Sequence, residues 1–289
     1  MFEFDPTLVH DWLSHSARRF PDKVALICGQ QRWTYRDLDQ HTNHLATALL
    51  DTGLQRQDRV IILLDNSAET VISLYSTLKA GGVFIILAGS VKGPKLRYIL
   101  ENSEANILIT HTTKARVVSD ALGDGQRDCK VIWVGPTKKI PEEVLRTSLS
   151  WDEIFSDFTD KTPDFEKDNQ LPRCVDVDLA TLIYTSGSTG EPKGVMSTHH
   201  NMISAARSII QYIGNVEEDI ILDVLPLSFD YGLYQVIMAF MFGGTVVLEK
   251  SFLYLHRVLE HIAQEKVTGF SNSTYDCGYV VEVAGFEKI

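Results

Sequence analysis

The chain has 289 residues, 44% hydrophobic and 22% charged, which is an ordinary soluble composition with enough length for a large core. Its net charge of −11 leaves no basic footprint for nucleic acid or for an anionic membrane surface, so a polyanionic ligand needs a dedicated local loop. Cys28, Cys129, Cys174 and Cys277 are scattered without a CxxC pair, and Met1–Asp5 lacks a signal peptide's basic start, so structural zinc and a disulfide framework are disfavoured and a cytoplasmic setting is expected. The most apolar run, Val83–Leu87, is too short to span a bilayer.

In chain order, Asp5-Pro6 reads as N-cap and first helical position, with Leu8, Val9, Trp12, Leu13 and Ala17 as the buried stripe. Lys23–Cys28 and Gln31–Trp33 around Gly29-Gln30 predict a hairpin. Thr34-Tyr35-Arg36-Asp37 predicts a capping box opening a helix that runs to Gly53. Strands and helices then alternate: a strand over Arg59–Leu64, a helix over Ser67–Lys79, a strand over Val83–Leu87 and a helix over Lys95–Glu101. Asn106–Thr110 reads as strand, Lys114–Leu122 as helix and Lys130–Val134 as strand. This alternation implies crossover connections and a mainly parallel sheet covered on both faces.

Between Ser156 and Asp178 the chain is rich in Asp, Lys and Pro and reads as a surface loop or a linker between sub-lobes. The apolar run Leu179–Ile183 is followed by Tyr184-Thr185-Ser186-Gly187-Ser188-Thr189-Gly190-Glu191-Pro192-Lys193-Gly194 and a helix from about Thr198. Beyond it, helices are expected over His200–Tyr212, Leu233–Phe240 and Leu253–Glu265, and strands over Ile220–Leu225, Thr245–Leu248 and Val267–Phe270. His199 and His200 point about 100° apart on a helix, which disfavours a metal pair. His41 and His44 share a face with no third ligand and read as solvated surface.

The Tyr184–Gly194 loop has the residue types of a phosphate cradle: glycines for close backbone approach, hydroxyls as donors, and one lysine. It is not a P-loop, because Pro192 and Gly194 stand where that pattern needs glycine and a magnesium-binding hydroxyl. Nor is it a nucleophile elbow, since Gly187-Ser188-Thr189-Gly190 is one residue too tight. Residue for residue, Thr185–Gly194 resembles the signature loop of AMP-forming adenylating enzymes, [ST]-S-G-[ST]-T-G-x-P-K-G. These are the acyl-CoA synthetases, luciferases and nonribosomal-peptide adenylation domains.

That resemblance implies an α/β fold of two mostly parallel sheets flanked by helices, the large N-terminal domain of such ligases. It implies ATP-dependent activation of a carboxylate to an acyl-adenylate, then transfer to CoA or a carrier-protein thiol, with ATP and Mg2+. Thr185, Ser186, Gly187, Ser188, Thr189, Gly190 and Lys193 would bind the ATP phosphates. Leu225–Gly232 is similar to the next family motif, which makes Phe229 and Asp230 substrate-pocket candidates; from the residues alone, Asp230 serves equally as a helix cap. The small carboxylate and the thiol are the partners implied, and no residue of this stretch is a metal ligand.

The chain departs from the pattern at Ile85–Ser90, where a proline-rich loop is usual, and at Ser271–Gly278. The family's adenine- and ribose-binding segments, its C-terminal lobe and that lobe's catalytic lysine have no match. Residues 1–289 are therefore expected to be an incomplete adenylation domain, with the catalytic residue unknown. The alternative is an inactive nucleotide- or pyrophosphate-binding remnant, or a unit completed by a partner chain that would cover its apolar sheet edges.

Overall fold

The apolar runs become two sheets with helices between and outside them. The computed structural model describes residues 5–123, 129–137, 140, 148–156, 158, 172–185, 191–250 and 255–271. Helix α1 spans Val9–Arg19, followed by β1 Val24–Cys28, β2 Gln31–Thr34, α2 Tyr35–Asp51, β3 Arg59–Leu63 and α3 Ala68–Lys79. Next come β4 Val83–Ile86, α4 Gly93–Ser103, β5 Ile107–His111, α5 Ala115–Leu122 and β6 Lys130–Val134. Then follow β7 Ser148–Ser150, α6 Trp151–Ile154, β8 Leu179–Thr185, β9 Lys193–Thr198 and α7 His199–Ile213. Strand β10 Ile220–Asp223, α8 Asp230–Phe242, β11 Thr245–Leu248, α9 Leu255–Glu265 and β12 Gly269–Ser271 complete the described elements.

The larger sheet has the order β7-β6-β5-β3-β4-β8-β9 and the smaller one β12-β10-β11-β1-β2. All pairings are parallel except the two hairpins, β1–β2 and β8–β9. Both sheets are thus mixed, each carrying one antiparallel strand at an edge. Strand alternation sorts the side chains into layers. Val60, Ile62, Ile107 and Ile109 of the larger sheet share one core with Leu26, Val246 and Leu248 of the smaller, through α1, α2, α3, α7 and α8. On the other face of the larger sheet, Ile61, Leu63, Leu108 and Val131 pack on α4 and α5. On the outer face of the smaller sheet, Ile27, Leu222 and Val247 pack on Val258 and Ile262 of α9.

Helix α3 lies in the shared middle layer, and every residue from Thr70 to Lys79 is buried. Its polar groups must therefore find partners inside, and most of its buried side-chain hydroxyls do, that of Ser73 being without one among the described residues. Thr70, Ser76 and Thr77 donate to the carbonyls of Asp65, Ile72 and Ser73, each at 2.7 Å. The Lys79 ammonium donates to Asp39 Oδ1 (2.7 Å), Thr42 Oγ1 (2.8 Å) and Asn43 Oδ1 (2.6 Å) on α2. Burial alone would raise the Asp39 carboxyl; the facing Lys79 charge and hydrogen bond, with the Ser14 hydroxyl, hold it below the usual carboxylate range.

Most expected elements stand where the pattern places them. The capping box at α2 forms: Asp37 N–H donates to Thr34 Oγ1 at 3.1 Å, and Asp37 Oδ2 accepts from Thr34 N–H at 2.9 Å. The first helix is a correction. It opens at Val9, not at Asp5-Pro6, because the Val9 N–H finds a buried acceptor, His199 Nδ1, at 3.1 Å. His41 and His44 are a second correction. They pack against Phe155 and Phe158, and His44 Nε2–H donates to the Ile154 carbonyl at 2.5 Å. Much of the Ser156–Asp178 linker lies outside the described residues; its end, Asp178, is held by a bidentate ion pair with Arg56.

His199 is buried among α1, α7 and the Asp176–Asp178 turn. Burial drives its pKa down to about 4, against the opposing pull of Asp178 and Asp176. The unfolded chain takes up this proton near 6.5 and the folded one near 4, so stability is complete at neutral pH and is lost as pH falls through that window. His10, 5.5 Å away, acts in the same direction. Urea unfolding at pH 7 and pH 5 is expected to show a loss of about 2 kcal/mol attributable to His199. In His199→Gln, which keeps an acceptor for Val9 but cannot titrate, that share of the loss should vanish; an unchanged pH dependence would refute the assignment.

Candidate functional site

The expected phosphate loop joins two antiparallel strands. Thr185 pairs with Lys193 at its mouth, and Tyr184 pairs with Gly194 one step below. The sequence reading had the loop run from a strand straight into a helix. It missed β9, because Lys193–Thr198 is short and exposes Val195 and Met196 to solvent, so no buried alternation marks it. The helix signal itself was sound: Thr198 caps α7, accepting from Asn201 N–H at 3.1 Å. Ser186–Gly190 lie outside the described residues, so the structure places Thr185, Glu191, Pro192 and Lys193 only; Thr185, Glu191 and Lys193 are exposed.

The stem of this hairpin is braced by α4. Tyr184 Oη donates to Asn102 Oδ1 at 2.6 Å, and Tyr98 Oη donates to the Pro192 carbonyl at 3.2 Å. Gly194 lies under the Tyr184 ring, where an added Cβ would stand 3.3 Å away. Tyr98 and Asn102, one turn apart on α4, thus hold the chain on both sides of the loop, at Pro192 and at Tyr184. Sequence reasoning missed these residues, although three polar groups four residues apart on α4 (Tyr98 and Asn102) and beside the loop (Tyr184) were visible.

The second candidate stretch follows β10. Leu225 N–H donates to Asp223 Oδ1 at 3.0 Å, Phe229 N–H to the Pro226 carbonyl at 3.0 Å, and Leu227 N–H to Asn66 Oδ1 at 3.0 Å. Asp223 is fully buried on the inner face of the smaller sheet, and that burial pushes its carboxyl well above the usual range. Phe229 takes the N-cap position of α8 and Asp230 its first position. Asp230 Oδ1 accepts from Tyr231 N–H at 2.9 Å, so the aspartate helps to start the helix while remaining exposed. Burial, then the Asp230 charge, raises the neighbouring Tyr234 hydroxyl. Phe229 and Tyr231 are 60% and 55% exposed, which makes this helix start an uncovered aromatic-acidic rim.

Among the described residues no three His, Cys, Asp or Glu side chains converge to hold a metal, and no helix is long and apolar enough to cross a membrane. Among the described residues, Cys28 and Cys174 are free thiols.

A model of the family described as AMP-binding enzyme matches residues 13–280. The chain belongs to this family. Tyrocidine synthase 1 of Brevibacillus parabrevis is 28% identical over 258 residues, which is 89% of this chain and 21% of that protein. A solved Rhodopseudomonas palustris chain described as a long-chain-fatty-acid CoA ligase superposes with a TM-score of 0.83 at 21% identity, over 96% of this chain and 66% of its own. VinN solved in complex with L-aspartate superposes at 0.73 with 27% identity, over 91% of this chain and 66% of its own. This chain therefore spans about a fifth of the curated relative and about two thirds of each solved one. The two-sheet fold expected from the signature loop is the fold of this AMP-binding domain.

Within the AMP-binding fold, Gly232 decides how closely α8 approaches the loop before it. A Cβ there would stand 2.8 Å from both the Leu225 and Pro226 carbonyls, nearer than side-chain carbons come to such oxygens. Gly232→Ala is expected to displace the Leu225–Phe229 loop and to cost about 1–3 kcal/mol in urea unfolding. A variant as stable as the parent would show that the loop can yield without strain.

Proposed function

We propose that this chain is the nucleotide- and carboxylate-binding part of an AMP-forming ligase. On this reading a carboxylate oxygen attacks the α-phosphorus of ATP, the bond from that phosphorus to the bridging oxygen breaks, and pyrophosphate leaves with the electron pair. The acyl-adenylate then passes its acyl group to CoA or to a carrier-protein thiol. The observation that carries the reading is the hairpin loop Thr185–Lys193: small hydroxylated and glycine residues, closed at its mouth by a solvent-facing lysine and braced below by Tyr98 and Tyr184.

The roles follow from the chemistry of the side chains. Lys193 offers a point charge to the β- and γ-phosphates and to the leaving pyrophosphate. Thr185, Ser186, Ser188 and Thr189 offer hydroxyl donors, and Gly187 and Gly190 let the backbone come close. Mg2+ would be held in part by the triphosphate oxygens and would offset their charge. Phe229 and Asp230 form the carboxylate-substrate end. The L-aspartate bound by VinN supports an amino-acid-like substrate, whose ammonium an exposed aspartate would pair with. A cytoplasmic setting fits the free thiols Cys28 and Cys174 and a substrate such as CoA. A segment or partner supplying the adenine and ribose contacts completes the reaction.

Calorimetric titration with ATP and with pyrophosphate tests this. Lys193→Ala removes a charge-assisted contact and is expected to weaken both by about ten- to a hundredfold. Equal affinities in the two proteins would end the role given to Lys193. Carboxylate-dependent ATP–pyrophosphate exchange, measured alongside, separates two outcomes: a chain that binds pyrophosphate without exchange needs the completing segment, whereas exchange by the chain alone makes it sufficient.

A further inference from the structure

The two sheets are joined at their carboxyl ends by one side chain. Asn66 sits between β3 of the larger sheet and α3, and it is buried. Its Nδ2 donates to the carbonyls of Leu225 (2.8 Å) and Glu249 (2.9 Å), the residues just past β10 and β11 of the smaller sheet. Its Oδ1 accepts from Leu227 N–H at 3.0 Å. These partners lie 159, 183 and 161 positions away in the chain.

An asparagine just before a helix ordinarily turns its side chain onto the first-turn amides. Here Ser67 does that, accepting from Thr70 N–H, which leaves the Asn66 amide for the other sheet. The pattern needs two donors and one acceptor on a short stem, and asparagine is the side chain that supplies them. Asp lacks both donors, and Gln is one methylene longer. The same loop is held from its other sides by Asp223 Oδ1 on Leu225 N–H and by the close approach of Gly232.

We infer that Asn66 is a positioning residue: it locks the Leu225–Phe229 loop to the end of β3 and so sets where Phe229 and Asp230 stand. This rests on the proposed role of Phe229 and Asp230 at the carboxylate end of the site. Asn66 touches no reacting group; it acts through the loop.

Amide hydrogen exchange on the 289-residue chain tests the lock. In Asn66→Ala, the amides of Leu225, Leu227 and Phe229 are expected to exchange about tenfold or more faster, with those of β5 and β6 unchanged. The control is Leu100→Ala, which lowers stability from the outer core without touching the loop. If Asn66→Ala exchanges uniformly faster, as a merely destabilised protein would, or no faster than the parent, the positioning role is overturned. Should that variant not fold, Asn66→Asp, which keeps the acceptor for Leu227 and loses both donors, carries the same measurement. A second arm titrates L-aspartate, benzoate and hexanoate while following the amide resonances of Phe229 and Asp230. Asn66→Ala should weaken whichever of these binds by about tenfold, and Leu100→Ala should not. Loop-selective exchange with no carboxylate response at Phe229 or Asp230 upholds the lock and overturns the substrate role assigned to those two residues.

Discussion

A helix enclosed on all sides governs this fold. Because α3 lies between the two sheets, it is buried from Thr70 onward, with Glu69 of its first turn half-buried, yet it ends in Lys79. An ammonium so deeply buried is tolerated only if its desolvation is offset by a counter-charge and by filled donor sites. Asp39, Thr42 and Asn43, on successive turns of α2, supply both. The register of α2 against α3 is therefore specified by polar geometry and not by apolar area alone. Everything stacked on that pair, from Phe240 on one side to Val60 and Ile62 on the other, inherits the register.

The middle layer also explains why the two sheets end together. In open α/β sheets, ligands meet the carboxyl ends of strands. Here β3, β10 and β11 all reach the neighbourhood of Asn66, which bonds to Leu225, two residues past β10, and to Glu249, the residue after β11. The buried Asp223 stands on the same side, with one oxygen on Leu225 N–H. Both are polar groups that a purely apolar core would avoid. Their cost is offset by what they specify: the exit angle of the chain from β10 and the start of α8, where Phe229 and Asp230 stand.

The sequence made most parallel strands legible because they are short apolar runs buried on two faces, as Val60–Leu63 and Ile107–Ile109 are; β7, Ser148–Ser150, is only half-buried and was not read. The capping boxes at Thr34 and Thr198 were legible because their partners lie three residues away. What escaped reading was set by distant partners or by exposure. The start of α1 depends on His199, and the role of Asn66 depends on Leu225 and Glu249. Strand β9 escaped because an edge strand with a solvated face has no two-sided apolar signature. The signature loop was readable as residue types, while its placement in a hairpin rather than ahead of a helix was not.

That placement changes the electrostatics of the site. A phosphate loop leading directly into a helix draws on the positive end of the helix dipole, an effect confined to the first turn. Here five residues of strand separate Lys193 from His199, the first residue of α7, a span of six residue steps. At about 3.3 Å per residue, the helix start lies roughly 20 Å along the strand from the lysine. That exceeds the screening length of about 8 Å at physiological ionic strength. The dipole is spent elsewhere, since Thr198 and Asn201 satisfy its first amides. On the proposed reading, the loop would neutralise a pyrophosphate with backbone amides, hydroxyls and one ammonium, on a chain of net charge −11 and with Glu191 two residues from that lysine. Such a site holds its anion through many short contacts made at once rather than through a long-range field. The bracing at Tyr184 of β8 and at Pro192, just before β9, suits a site of that kind.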